Sequence, residues 1–264
     1  MIPPIYVMAG ATLAASLVLW GGLIYLFSGH DKHYFWLISL GLPLSAIANL
    51  VLKRQAIVLA GQAGHVPPHL GLANPVWFLS LMVLITPLVE EPIKILPLLL
   101  RPARRQMTRP ATAFWTGFAL GVSFGLGEAA FIAYTVAQAP QYAALPWYAF
   151  TGYFSERLLA CFAHGVMTAF LVVGIQRGGR MILYGLLGAT GLHLLLNAPA
   201  ALYQFRLISA QLYNFILLVP VTVLALVFER IRRQTRVPGD EEAANEVVYW
   251  ERPSTNLPGQ GPAA

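Results

Sequence analysis

Residues 5–228 are built almost entirely from apolar stretches, each long enough to cross a bilayer, separated by short polar joints. About 20 consecutive apolar residues in helical form span the hydrocarbon layer. Seven such stretches can be drawn, at 5–27, 34–52, 76–100, 111–137, 153–175, 181–203 and 207–228. None alternates apolar and polar residues with the period of a strand, which argues against a membrane β-barrel. The expected fold class is all-α, a polytopic membrane protein with about seven transmembrane helices. Only 11% of the residues are charged and 57% are hydrophobic; a soluble domain carries roughly 25% charged residues. A soluble globule, a disordered chain and a disulfide scaffold are thereby excluded. Cys161 is the one cysteine, so no intramolecular disulfide can form.

Basic residues set the expected orientation. Arg101, Arg104, Arg105 and Arg109 fall between the third and fourth stretches, and Arg177 and Arg180 between the fifth and sixth. Arg230, Arg232, Arg233 and Arg236 follow the seventh. All lie on one side, which the positive-inside rule makes cytosolic. The N-terminus is then outside and the C-terminus cytosolic, in the inner membrane of a cell. The formal charge of +6 reads as topology. Nucleic acid is not an expected partner, because no basic face is interleaved with aromatics. Lys53 and Arg54 break the rule by falling on the outer side; an interfacial or re-entrant segment over 54–75 would account for them. Residues 1–236 form one expected helical domain with its motifs in 76–203. Residues 237–264 are acidic, then rich in Pro and Gly, and are expected to be a disordered cytosolic tail.

Against this background the carboxylates stand out. Glu90, Glu91, Glu128 and Glu156 sit inside or at the edges of apolar stretches. A charge there costs about 2.5–3.5 kcal/mol even on insertion scales, so such residues read as functional. Lys94 follows Glu90 by one helical turn and can neutralise a carboxylate. The fourth stretch carries Phe124 and Glu128 among small glycines, and the fifth carries His164 with Arg157 on nearly the same face. The sixth carries His193 and Asn197 one turn apart. Each group taken alone fits a packing role; four spans supplying such groups together fit a hydrolase better. Counted at about 1.5 Å per residue from the inner ends, these groups gather at or outside the bilayer midplane. That favours a cavity opening outward.

Glu90-Glu91-x-x-Lys94 resembles the first motif of the PrsW family, and Phe124-x-x-x-Glu128 resembles its second. His164 and His193, on two further spans, are similar to the remaining ones. The wider superfamily includes the CAAX prenyl endopeptidases and bacteriocin-processing or self-immunity proteins. His193-x-x-x-Asn197 matches their third motif, whereas Glu128 stands where the prenyl enzymes have His, and Lys94 lies one residue closer than their Arg. The resemblance covers roughly the third to sixth stretches. It implies an intramembrane endopeptidase making the first cut in a single-span, anti-sigma-factor-like membrane protein on its extracytoplasmic side.

Peptide hydrolysis needs an activated water, a donor pair for the oxyanion and a proton for the leaving amine. The expected catalytic set is Glu90, Glu91, Glu128, His164, His193 and Asn197, with Lys94, Phe124 and Arg157 supporting. The resemblance favours Glu90 as base, with Glu91 supporting it or paired with Lys94. His164 would orient the water, Glu128 would hold a histidine tautomer, and His193 and Asn197 would donate to the oxyanion. This glutamate mechanism without a cofactor is the favoured expectation, since no His-Glu-x-x-His motif is present. The alternative is a zinc metalloprotease with Glu91, Glu128, His164 and His193 as ligands. A transporter and a catalytically silent scaffold are the rivals outside hydrolase chemistry.

Overall fold

The computed structural model describes residues 2–29, 32–66 and 75–235. It contains seven helices long and apolar enough to cross a membrane: α1 (Pro4–Phe27), α2 (Tyr34–Ala63), α3 (Val76–Leu99), α4 (Pro110–Ala137), α5 (Trp147–Arg177), α6 (Arg180–Gln204) and α7 (Ala210–Thr235). The expected all-α architecture is therefore present. The tail expected at 237–264 lies outside the described residues, as do residues 67–74 of the segment expected to be interfacial or re-entrant.

Proline marks several starts. Pro4 and Pro110 occupy the first helical turn, where a missing N–H leaves no bond unmade. Between α5 and α6 the chain reverses at Gly178 and Gly179, whose φ angles of 73° and 54° exclude most side chains. Such a short joint makes α5 and α6 antiparallel neighbours.

The centre of the bundle is the α4–α5 pair. Gly117, Gly121 and Gly125 recur every fourth residue on the face of α4 turned to α5. A Cβ on them would stand 2.7 Å from the Cα atoms of Ala169, Gly165 and Cys161, respectively. Small residues let two backbones approach in a medium where apolar burial gives little drive to associate. On another face of α4, Gly127 meets the Leu42 carbonyl of α2, and the Ser123 hydroxyl donates to the Ile38 carbonyl. Helix α6 packs on α5, and α3 packs on α6 and on the middle of α2. Helix α7 lies at the periphery, with Phe215, Leu218, Val219 and Leu226 turned outward, as a lipid-facing helix requires.

Two boundaries differ from the sequence expectation. Helix α2 does not end at residue 52; it continues through Lys53 and Arg54 to Ala63, with a π-helical turn at Ala48–Lys53. Helix α7 runs past Phe228 through Arg230, Arg232 and Arg233. In both cases a charged residue, Lys53 or Glu229, ends the apolar stretch without ending the helix, because Lys, Glu and Arg are good helix formers.

Candidate active site

Helix α3 delivers the acidic pair. Consecutive side chains on a helix point about 100° apart, so the two glutamates turn to different neighbours. Glu90 faces α2, where Lys53 Nζ donates to its Oε1 at 2.6 Å. Glu91 Oε1 accepts from Lys94 Nζ at 2.6 Å and from His193 Nδ1 of α6 at 2.6 Å. Glu90, Glu91 and Lys94 are fully buried. Pro87 and Pro92 lie within the same helix and leave the carbonyls of Val83 and Leu88 without their usual helical donors.

Helices α4 and α5 deliver the second group. Glu128 Oε2 accepts from Arg157 at 2.9 Å and meets His164 Nε2 at 3.2 Å. Arg157 and His164 are seven residues apart, two helical turns, which is why both reach one carboxylate. The second guanidinium nitrogen of Arg157 donates to Glu156 at 2.7 Å. Phe124, fully buried, separates the two groups: Lys94 Nζ stands 5.1 Å from its ring centre, and its ring meets that of His164 edge-on at 5.3 Å.

The protonation pattern of both histidines follows from their partners. A carboxylate only accepts hydrogen bonds. His193 therefore donates from Nδ1 and, as a neutral ring, would keep a lone pair at Nε2. His164 donates from Nε2 and, as a neutral ring, would keep a lone pair at Nδ1. The two rings and the second oxygen of Glu90 lie close together. His193 Nε2 is 3.8 Å from Glu90 Oε2, and the two imidazole rings are 5.3 Å apart. His164 Nδ1 and Glu90 Oε2 are buried and lack hydrogen-bond partners. One ligand-type atom from each of Glu90, His164 and His193 lies within 4.8 Å of the others.

Two imidazole nitrogens and a carboxylate oxygen from buried residues, with His164 Nδ1 and Glu90 Oε2 unsatisfied, fit the donor set of a catalytic zinc site with an open position. Each histidine is held from behind by a carboxylate, the usual outer support of a metal-bound imidazole. The residues present thus fit a divalent ion. The ligand set differs from the one expected for the metal alternative: Glu90 enters it, while Glu91 and Glu128 lie behind the histidines. The geometry favours the metal-dependent alternative over the cofactor-free mechanism expected from the sequence.

Beside this cluster lies a partly open cavity of about 540 Å³. Leu79, Met82 and Thr86 of α3 form one wall, and Asn197, Ala201 and Gln204 of α6 another. Glu128 and Arg157 close it on the side of the cluster. A smaller adjoining pocket reaches His164 and His193 themselves and shares Asn197. The lining residues come from the start of α3, the end of α4, the start of α5 and the end of α6. That end of the bundle is opposite the loops carrying Arg101–Arg105 and Arg177.

Every expected site residue belongs to this assembly. Lys53 is the residue the sequence reading misses, because there it only ends the second stretch on the outer side. A signal was available: three intramembrane carboxylates, Glu90, Glu91 and Glu128, had only Lys94 and Arg157 to balance them, while Lys53 stood unexplained on the outer side.

Residues 11–226 match the family described as PrsW family intramembrane metalloprotease. No curated protein and no solved structure matches the chain.

Proposed function

Since the chain belongs to the PrsW family of intramembrane proteases, we propose that it cleaves a membrane-anchored polypeptide at a divalent metal ion held by Glu90, His164 and His193. The observation that carries this reading is that one ligand-type atom from each of these three buried residues lies within 4.8 Å of the others, with Glu90 Oε2 and His164 Nδ1 unpartnered. A bound zinc-like ion supplies a nucleophilic water at neutral pH and polarises the scissile carbonyl.

The chain's own residues do the rest. Glu91 and Glu128 fix the tautomers and ring planes of His193 and His164, so that lone pairs rather than N–H groups face the reaction. Glu91 Oε2, buried and without a partner, is the carboxylate oxygen free to accept a proton. Asn197, one turn beyond His193, lines both pockets and in this reading donates its amide to the developing oxyanion. Phe124 keeps Lys94 and His164 apart in a dry setting.

The substrate class follows from the cavity and from the family resemblance. An unwound stretch of a single-span membrane protein would enter between α3 and α6. With the arginine-rich loops in the cytosol, the cavity opens on the extracytoplasmic side, as an anti-sigma-factor-like first cut needs.

The test is cleavage of a panel of single-span substrates by the purified protein in detergent. Loss with a chelator, recovery with zinc and absence in Glu90→Gln support the proposal. One observation favours a second reading, a glutamate-activated water without metal. Each of the three carboxylates already carries one cation: Lys53 on Glu90, Lys94 on Glu91 and Arg157 on Glu128. Chelator-resistant cleavage that disappears in Glu90→Gln would establish that mechanism instead.

A further inference from the structure

Three side chains supply the free atoms of the cluster, and each is gripped at its other end. Glu91 takes His193 at Nδ1 and leaves Nε2. Glu128 takes His164 at Nε2 and leaves Nδ1. Lys53 takes Glu90 at Oε1 and leaves Oε2. We propose that Lys53 is the third positioning residue of this site: it acts through Glu90, as the two carboxylates act through the histidines. The inference rests on the hydrolytic reading of the cluster, but not on whether an ion occupies it.

Three observations point the same way. Lys53 Nζ is 2.6 Å from Glu90, and the lysine side chain is only 13% exposed. A lysine that served topology alone would turn its ammonium to water, as long charged side chains at helix ends do. The backbone supplies the aim. The π-helical turn Ala48–Lys53 ends at this residue, and such turns inside α-helices recur where a side chain must be redirected at a functional site. Finally, Arg54, the neighbouring cation, is exposed. The two cations that looked alike in the sequence have different surroundings.

A positioned carboxylate offers one oxygen in a fixed direction, and an unheld one samples rotamers and can turn its free oxygen away. The expected consequence is a loss in the chemical step and in ion affinity, with substrate binding spared. The comparison uses full-length protein in detergent, with Lys53→Met, Lys53→Arg and Arg54→Met. It has two readouts: cobalt(II) alone as the metal probe, and cleavage of labelled casein and single-span peptides.

Lys53→Met should lower kcat and weaken cobalt binding, each by about 10- to 100-fold, while KM stays within about a factor of two. Lys53→Arg should recover part of both, and Arg54→Met should change neither. Where Lys53→Met fails to fold, Lys53→Gln, which keeps a donor without the charge, carries the same comparison. Equal losses in Lys53→Met and Arg54→Met, or none in either, would overturn the proposal. Tighter cobalt binding in Lys53→Met would also overturn it, showing that the ammonium competes for Glu90. If the wild type binds no cobalt, the kcat and KM comparison decides for Lys53, and only the metal assignment falls.

Discussion

Glu91 and His193 meet at 2.6 Å across 102 residues of chain, and the same Glu91 oxygen also receives Lys94. One fully buried carboxylate thus serves two ends: it neutralises a lysine on its own helix and sets the proton position on a histidine of another.

That double duty makes the Glu91–Lys94 pair costly to break and cheaper to remove. Lys94→Met leaves a buried carboxylate with only the His193 ring against it. The expected loss is about 3–5 kcal/mol, the usual cost of stranding one partner of a buried ion pair. Lys94→Met combined with Glu91→Gln should regain a large part. Denaturant unfolding in detergent measures both; equal stability of the single and double variants would remove the pairing from the account.

The α4–α5 contact should tolerate no added carbon at its centre. A Cβ on Gly121 would meet the His164 carbonyl and stand 2.7 Å from Gly165 Cα. Gly121→Ala should destabilise by about 1–3 kcal/mol, as overpacking does, and should also disturb activity through His164. Gly10→Ala, where a Cβ meets nothing within 4 Å, is the matched control and should leave the melting temperature unchanged.

Asn197 separates catalysis from folding. It is half-buried on a cavity wall, so its truncation should leave the protein folded. Loss of one oxyanion donor typically lowers kcat by about 10²- to 10³-fold, and Asn197→Ala is expected to show that size of effect. Full activity in this variant would take the donor role away from it.

The cavity makes a prediction about substrate size. Ala201 lies on its wall beside Gln204, away from the histidines. Ala201→Trp would fill part of the roughly 540 Å³. KM for a full single-span substrate should rise at least several-fold, with kcat for a short peptide nearly unchanged. Parallel losses on both substrates would mean that the cavity is not where the chain is bound.

The helices were legible because a transmembrane helix is a local object. Every backbone group is satisfied within the segment, so composition over about 20 residues identifies the span. The end of α2 was misread for a related reason. A hydropathy reading ends a span at Lys53, because a lone ammonium is costly in hydrocarbon; paired with Glu90, it is not alone. The partner lies 37 residues away, and nothing local reveals it.

The candidate residues were legible as a set, since buried carboxylates and histidines on four apolar spans need a reason to be there. Their division of labour was not. Glu90 and Glu91 are chemically identical and adjacent; the resemblance favours Glu90 as base and pairs Glu91 with Lys94, but nothing local places Glu91 behind a histidine 102 residues away.

The sequence by itself determined the number and order of the spans, the presence of the acidic pair and the two histidines, and the family to which they belong. Each is a property of short stretches. Only the tertiary structure decided which oxygen and which nitrogens are left free. Those are settled by partners from different helices: Lys53 on α2 for Glu90, Glu91 on α3 for His193, and Glu128 on α4 for His164. The angle of about 100° between neighbouring helical side chains turns a pair of equal glutamates into two different groups once the surrounding helices are packed.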